Sequence, residues 1–230
     1  MEYQNTITGI FLKRPNRFIA HVLIDGKEEI VHVKNTGRCK ELLLEGAKVI
    51  LEEGKNPKRK TRYSIIAVYK GDVLVNMDSQ APNEAVAEAI SKGKIKEVGE
   101  VSFLKREVGF GASRFDIYYE KGAIKGFVEV KGVTLEQDGL AMFPDAPTER
   151  GTKHLLELIR ATEAGFEATV LFVVQMKGVH SFCPNQAMDA KFSEAVKKAI
   201  EAGVSVLVYD CDVTESSMEI SSPILQILVE

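Results

Sequence analysis

The chain has 230 residues, of which 45% are hydrophobic and 27% are charged, so it has the composition of a globular protein that buries a core in one large or two small domains. Its net charge of −3 argues against a general nucleic-acid binder. It has neither an apolar N-terminal signal segment nor an apolar run of the roughly 20 residues that span a bilayer, so we expect a cytoplasmic protein without membrane contact. Its three cysteines, Cys39, Cys183 and Cys211, form no CxxC pair, which argues against a disulfide framework and a zinc ribbon.

Residues 1–80 are predicted to form a first, all-β domain. A short helix is predicted over Arg38–Leu44, between the third and the fourth strand. Five short strands with a helical turn at this place match an OB-fold barrel, a fold that commonly binds oligonucleotides. The strand-like runs are Thr6–Leu12, Phe18–Ile24, Glu29–Val33, Lys48–Glu52, Tyr63–Tyr69 and Val73–Met77.

Three polar loops of this domain are candidates for contact with a nucleic acid. Residues 1–80 hold 14 Lys and Arg against 10 Asp and Glu, whereas residues 81–230 hold 16 against 23. This difference fits phosphate binding in the first domain and metal binding in the second. The alternative is that the loops only keep the protein soluble. The candidate residues are Arg14, Arg17, Asn35, Arg38, Lys58, Arg59, Lys60 and Arg62.

Residues 81–230 are predicted to form a second domain that mixes helices and strands. Asp78–Asn83 is the expected junction, and Asn83 is expected to N-cap the first helix. Two amphipathic helices are expected later, each ended by a glycine. The predicted elements are the helix Glu84–Ser91, the strand Val98–Lys105, the hairpin of Ser113–Leu135, the helix Thr148–Ala164, the strand Ala168–Gln175, the helix Asp189–Ala202 and the strand Val204–Tyr209.

The hairpin carries two acids and a lysine that alternation along a strand brings together. Glu129 and Lys131 are two positions apart and point to one face, whereas Val130 points to the other. Pairing of Arg114–Glu120 with Gly126–Val133 brings Asp116 beside that face. One or two carboxylates are how proteins bind Mg²⁺, and a lysine beside the metal can orient water or stabilise negative charge.

The plain alternative is an edge strand whose charges face solvent or form ion pairs. In this chain the Glu and the Lys interrupt an otherwise apolar strand, where charges cost free energy unless they are paired or liganded. The pattern D…ExK on a hairpin resembles the PD-(D/E)xK nuclease superfamily. The order α-β-β-β-α-β-α-β from Asn83 onward agrees with that core and predicts a restriction-endonuclease-like α/β domain with a mixed central sheet.

The helix after the hairpin begins with polar residues that are candidates for phosphate binding. Arg150 and His154 are four residues apart and share a face, with Lys153 beside them. The N-terminus of a helix favours an anion. The alternatives are a solvated first turn with a Glu149–Lys153 pair, or a buried histidine that packs the helix against the protein.

Four segments together resemble the sugar fermentation stimulation protein A family. They are HVKNTGR at His32–Arg38, SRFD at Ser113–Asp116, EVKGVTL at Glu129–Leu135 and FPDAPTERGTKHL at Phe143–Leu155. The resemblance extends along nearly the whole chain. It implies an OB-fold followed by a nuclease-like domain, DNA binding, and a regulatory role in bacterial maltose metabolism.

The superfamily pattern assigns catalytic roles to Asp116, Glu129 and Lys131. It implies a Mg²⁺ or Mn²⁺ site formed by Asp116, Glu129 and the carbonyl of Val130. A further acid from the first helix would be Glu88 or, as second choice, Glu84. The Pro of the PD motif is absent here, since SRFD stands in its place.

Three functions are compatible with these residues. The first is a Mg²⁺- or Mn²⁺-dependent nuclease that acts on DNA or RNA, with DNA as the expected partner. The second is a non-cleaving DNA-binding regulatory factor with a vestigial nuclease fold. No helix-turn-helix is apparent, so sequence-specific recognition would lack an obvious element. The third is a phosphohydrolase of a small nucleotide. The exposed edges of a mixed sheet would also permit a homodimer.

Overall fold

A computed structural model describes residues 1–35, 37, 39–56 and 58–227, and its first part is a closed β-barrel. The sheet order is β3-β2-β1-β4-β5-β6, and a parallel pairing of β3 with β5 closes five strands into the barrel, as the sequence predicted. Apolar residues at alternate positions, such as Val22, Val31 and Val49, fill its interior. The strands are β1 Thr6–Lys13, β2 Ile19–Ile24, β3 Lys27–Val33, β4 Lys48–Glu53, β5 Tyr63–Lys70 and β6 Val73–Asn76.

The short helix predicted over Arg38–Leu44 is wrong for the residues that the structure describes there. Residues 39–44 form a hydrogen-bonded turn, in which the amides of Leu42 and Leu43 both donate to the carbonyl of Cys39, at 3.2 and 3.0 Å. Burial of the two leucines holds the turn in place, and so short a segment does not recover the cost of starting a helix. Arg38 itself lies outside the described residues.

The second domain has a mixed six-stranded sheet between helices on both faces. The order is β15-β14-β12-β9-β8-β7, in which β9, β12 and β14 run parallel and the outer strands pair antiparallel. A small second sheet has the order β10-β11-β13-β16. The elements are α1 Ala81–Ser91, β7 Phe103–Phe110, β8 Ser113–Lys121, β9 Ile124–Val133, β10 Glu136–Gln137, β11 Leu140–Phe143, α2 Glu149–Glu163, β12 Glu167–Val174, β13 Ser181–Pro184, α3 Ala190–Glu201, β14 Ser205–Val213, β15 Met218–Pro223 and β16 Leu225–Gln226.

Two separate cores cover the faces of the large sheet. Helix α1 packs through Val86 and Ile90 on one face, with Val128 and Val130 of β9. Helices α2 and α3 cover the other face with an apolar cluster that includes Phe172 of β12. Glu129 and Lys131 therefore lie on the α2 side of the sheet, because they alternate with Val128 and Val130.

Several elements of the second domain differ from the sequence prediction in their boundaries. The first helix begins at Ala81, three residues early, because Pro82 fits a first helical turn, where the missing N–H costs nothing. The strand predicted at Val98–Lys105 lies at Phe103–Phe110. The predicted loops around residues 137–147 and 180–185 contribute β11 and β13, which pair with each other in parallel.

The first residues of the chain pack against the second domain, although the sequence places them in the first. The ammonium group of Met1 donates to Glu88 Oε2 and to the carbonyl of Met218, both at 3.0 Å. The side chain of Tyr3 is buried in the core that contains α1. The N-terminal segment thus fastens α1 to β15.

A buried polar network joins the two domains. Lys34 Nζ, at the end of β3, donates to Glu52 (2.8 Å) and Asp78 (3.0 Å). Gln175 Nε2, at the end of β12, donates to the carbonyl and the side chain of Asn76, both at 3.1 Å. The network fixes the barrel loops relative to the large sheet.

No described helix is both long enough and apolar enough to cross a membrane.

Candidate functional site

Asp116 is held between β9 and α1 at the point where the β8–β9 ladder ends. The ladder runs from the pair of Lys121 with Ile124 to the pair of Ile117 with Val128. Two residues beyond Val128, the backbone N–H of Val130 donates to Asp116 Oδ2 at 2.8 Å. The other oxygen accepts a hydrogen bond from Asn83 Nδ2 in the first turn of α1, at 2.7 Å. The carboxylate therefore has a fixed orientation at the strand end.

Glu129 is buried on the adjacent strand, with only one of its two oxygens occupied. The residue is 2% exposed. Its Oε1 atom accepts a hydrogen bond from Lys131 Nζ at 2.5 Å and is also hydrogen-bonded to His154 Nδ1. Its Oε2 atom has no hydrogen-bond partner among the described residues. A buried carboxylate oxygen without a partner is costly, so this atom could accept a cation as its ligand.

The two carboxylates have opposite electrostatic environments. Burial, and then the negative charge of Glu129, raise the pKa of Asp116 above its ordinary value. Burial also disfavours the charge on Glu129, but the hydrogen bond from His154 and the charge of Lys131 outweigh it and lower the pKa of Glu129. A cation bound between them would stabilise both ionised forms.

The donor set fits a hard divalent cation that keeps most of its own ligands. No group of three or more His, Cys, Asp or Glu side chains within the described part of the chain is arranged to hold a metal. Mg²⁺ commonly uses one or two protein carboxylates and completes its shell with water and substrate phosphate. Asp116 and the free oxygen of Glu129 supply that minimum, with the Val130 carbonyl as the predicted third ligand.

The structure does not bring Glu88 into this site. Glu88 binds the N-terminal ammonium group and Lys92, at 3.0 and 3.5 Å, and lies beside Glu219 near β15. The side chain of α1 that does reach Asp116 is Asn83. The prediction that Asn83 caps the helix is therefore wrong, because the cap is Gln80 and Asn83 lies inside the first turn. Glu84 is exposed.

Helix α2 approaches the site with its polar first turns. Its N-cap is Thr148, whose hydroxyl oxygen accepts from the backbone N–H of Gly151 at 3.0 Å. His154 turns its Nδ1 atom to Glu129, and Arg150 Nε lies 3.5 Å from its Nε2 atom. The structure therefore places His154 against Glu129 as a buried, hydrogen-bonded histidine, which is one of the alternatives that the sequence left open.

A cavity of about 630 Å³ lies beside this helix start. Arg150 and Lys153 line it as predicted candidates, and Lys153 Nζ also donates to the carbonyl of Ala112 at 3.0 Å. Sequence reasoning missed two further lining residues, Ser113 and Arg114. The hydroxyl of Ser113 is buried without a partner among the described atoms, and the sequence signal for both was the SRFD segment itself.

Arg14 joins two of the barrel loops. Its guanidinium donates to the carbonyls of Gly37 (2.9 Å), Arg17 (2.7 Å) and Asn35 (2.6 Å). The side chain of Arg14 therefore fixes the 13–17 loop against Asn35 and Gly37. Both Arg17 and Asn35 line a cavity between the two domains.

The third basic loop is separate from that cavity. Arg59 Nη2 donates to Ser64 Oγ and Arg62 Nε donates to Glu53 Oε1, each at 2.7 Å. Lys58 and Lys60 are exposed. The structure thus divides the predicted nucleic-acid residues into one group at the domain junction and one group at the β4–β5 loop.

Comparison with known proteins gives the same two-part division. A family model described as "Sugar fermentation stimulation protein RE domain" matches residues 80–217, and one described as "SfsA N-terminal OB domain" matches residues 12–77. The chain is 61% identical over 215 residues to a "Sugar fermentation stimulation protein homolog" of Alkaliphilus oremlandii. The aligned region covers 91% of this chain and 92% of that homolog. It is 54% identical to a homolog of Desulfitobacterium hafniense over the full length of both.

A solved structure, that of Pyrococcus furiosus SfsA in complex with Ca²⁺, is similar over nearly all of both chains. The TM-score is 0.88 at 29% identity, and the similarity covers 98% of this chain and 97% of that one. The barrel followed by a mixed-sheet α/β domain is therefore a shared architecture.

Proposed function

This chain belongs to the sugar fermentation stimulation protein family, and we propose that it is a divalent-metal-dependent nuclease of the PD-(D/E)xK type. The observation that carries the proposal is the buried Oε2 atom of Glu129, which has no partner among the described residues and belongs to a carboxylate close to that of Asp116. A site without a cation would leave this oxygen uncompensated and the two acids in mutual repulsion.

Asp116, Glu129 and the carbonyl of Val130 would hold Mg²⁺ or Mn²⁺. When bound, such an ion lowers the pKa of a water ligand and offsets negative charge on the phosphoryl oxygens. The structure of the similar Pyrococcus furiosus protein was solved with Ca²⁺, which supports a hard divalent cation in this family. Lys131, held by Glu129, would stabilise the charge that develops on the phosphate or orient the attacking water.

Two side chains act as positioning residues in this proposal. Asn83 donates to Oδ1 of Asp116, and His154 is hydrogen-bonded to Oε1 of Glu129, which leaves Oε2 of Glu129 for the metal. Outer partners of this kind typically contribute 10–100-fold to metal affinity or activity, a range of about 1–3 kcal/mol. The phosphate next to the scissile one would bind Arg150, Lys153 and Arg114 in the cavity beside α2.

The OB-fold domain would supply affinity for the nucleic acid. Its basic loops carry the cations that bind phosphates, and OB-folds commonly bind oligonucleotides. DNA is the proposed substrate. The link to sugar fermentation comes from the names of the relatives and is compatible with a nuclease that acts on DNA or with a DNA-binding regulator.

The second candidate is a non-cleaving DNA-binding factor linked to sugar metabolism. The observation in its favour is that α1 directs the amide of Asn83, and no acid, to Asp116. The described residues thus give the metal two carboxylates and no third. In that case the Asp–Glu–Lys set would be vestigial and the barrel loops would carry the function.

Cleavage assays with site variants separate the two candidates. The protein is incubated with end-labelled single- and double-stranded DNA and RNA in Mg²⁺, Mn²⁺, Ca²⁺ or EDTA. We expect cleavage in Mg²⁺ or Mn²⁺ by the wild type and none in EDTA. The variants Asp116→Asn and Glu129→Gln should lose it, and Asp72→Asn, in an exposed turn of the barrel, should keep it. Cleavage that survives in both site variants, or its absence from the wild type under every condition, would overturn the proposal.

A further inference from the structure

Two neighbouring cavities form a groove between the barrel and the second domain. The first has a volume of about 760 Å³ and lies under the 13–17 loop of the barrel. The second, of about 480 Å³, lies between the barrel and the segment 132–148. Arg17, Gly37, Ala146 and Pro147 line both, so the two cavities are continuous in their walls.

The groove leads to the proposed metal residues. The second cavity is lined by Gly132, Val133 and Thr134, which directly follow Lys131 on β9. One residue of a strand advances about 3.3 Å, so the groove begins within a residue step of the Lys131 backbone. The cavity lined by Arg114 and Arg150 is also lined by His154, which contacts Glu129. The metal residues are thus neighbours of both spaces.

The lining of the groove has the two components that a single strand of nucleic acid requires. Lys13, Arg17 and Lys40 offer positive charge for the phosphates. Leu12, which is partly exposed, and Pro147, which is exposed, offer apolar surface for unstacked bases. The three cations all belong to the barrel domain, whereas the two acids of the lining are divided between the barrel, with Glu45, and the opposite wall, with Asp145.

The dimensions of the groove favour one strand over a double helix. Each cavity has the volume of a small-molecule site, about 300–1,000 Å³. The barrel loop also closely approaches the opposite wall, since a Cβ atom built on Gly37 would lie 3.1 Å from Asp145 Oδ2. A duplex would have its bases stacked inside and could not use the apolar lining.

We propose that this groove is the path of a single strand of nucleic acid, which runs from the barrel loops across the metal residues to the Arg114–Arg150 cavity. The part of the path that crosses the metal residues rests on the proposed function. Binding of the strand in the groove itself does not require cleavage. It makes single-stranded regions the substrate class, with the barrel and the metal site acting on the same strand.

The test is a binding measurement in EDTA, so that it is independent of cleavage. Fluorescence anisotropy gives the Kd of a labelled single strand and of the blunt duplex of the same sequence over a range of salt concentrations. We expect the single strand to bind more tightly at each salt concentration. In the double variant Arg17→Ala/Lys40→Ala, the slope of log K against log salt should fall by about 1.4, since each phosphate contact with a single strand contributes about 0.7.

A matched control removes two charges outside the groove. Lys191→Ala/Lys197→Ala changes two exposed lysines of α3 and should keep the wild-type slope. Arg17 and Lys40 are likewise exposed, so both double variants should fold, which thermal unfolding checks. Equal or tighter binding of the blunt duplex, or an unchanged slope in Arg17→Ala/Lys40→Ala, would refute the path. So would a larger loss of slope in Lys58→Ala/Lys60→Ala, which would move the strand to the β4–β5 loop. A protein that binds the single strand as expected but never cleaves would refute the nuclease alone.

Discussion

Replacing Asp116 by Asn should stabilise the metal-free protein at neutral pH and remove its stabilisation by divalent cations. The side chain has nearly the same shape in both forms, and the N–H of Val130 can still donate to its oxygen. The Asn83 amide can rotate to present its oxygen to the new NH₂ group. The substitution therefore removes the charge and leaves the packing almost unchanged.

The direction of the metal-free effect follows from the pKa of Asp116, which burial and the charge of Glu129 raise above 3.8. Between 3.8 and the raised value, the folded protein binds more protons than the unfolded chain, so the free energy of unfolding falls as the pH rises through this window. The penalty is fully present above the folded pKa and absent below 3.8. Asn does not ionise, so the variant escapes it.

The raised pKa of Asp116 gives the direction of the metal-free effect, a gain in stability of the variant at pH 7. The size of the metal effect can be stated. A ligand at 100 times its Kd adds about 2.7 kcal/mol to the folded state. For a chain of this size 1 kcal/mol is about 2–4 °C in Tm, so the metal should raise the Tm of the wild type by about 5–11 °C.

Thermal unfolding followed by circular dichroism, with EDTA or with saturating Mn²⁺, measures both quantities. Asp72→Asn is the matched control, because it makes the same chemical change in an exposed turn. It should keep the response of the wild type to metal. Repeating the metal-free measurement near pH 3.5 should make wild type and Asp116→Asn converge.

Two results would refute this reasoning. A full metal-induced rise in the Tm of Asp116→Asn would show that Asp116 is not a ligand. A metal-free variant that is markedly less stable than the wild type at pH 7 would show that the site stabilises the ionised carboxylate, against the raised pKa.

Three further predictions concern the supports of the site. Gly132→Ala should cost about 1–3 kcal/mol of unfolding free energy, because the Cβ atom of the alanine would lie 2.4 Å from Gln175 Oε1. An unchanged Tm would contradict this prediction. His154→Ala should cost about 1–3 kcal/mol of unfolding free energy and should weaken Mn²⁺ binding in calorimetry. His154→Asn keeps a donor for Glu129 and should recover part of both the stability and the Mn²⁺ affinity. Equal losses of stability and affinity in the two variants would argue against the hydrogen bond. Arg14→Lys should raise the Kd for a single strand without changing the salt slope, because the charge remains while a lysine cannot bridge three carbonyls. An unchanged Kd would show that these three hydrogen bonds do not shape the binding surface.

The sequence determined those features that depend on short-range pattern. Alternating apolar residues predicted the strands of the barrel and the hairpin that carries Asp116 and Glu129, and the structure has them. Helical periodicity with cap residues predicted α2 and α3 to within one residue at each end, because Thr148 and Asp189 cap them through their own side chains. Burial on one face imposes such patterns on every local stretch.

The features that the sequence got wrong depend on contacts between distant segments. Glu88 and Asn83 lie on one short helix, and only its docking against β8 and β15 decided that the amide of Asn83 reaches Asp116 while Glu88 binds the chain terminus. A sequence pattern gives the spacing along a helix but not the rotation of the helix on the sheet.

The tertiary structure also decided what the polar residues around the site do. From sequence, His154 and Arg14 were both candidates to touch a phosphate. Packing of α2 over β9 directs His154 to Glu129, and the meeting of two barrel loops surrounds Arg14 with backbone carbonyls. A polar side chain takes the partners that lie nearest in the folded protein, since an unpaired buried polar group is costly, and Asn35 and Glu129 are 21 and 25 residues away along the chain.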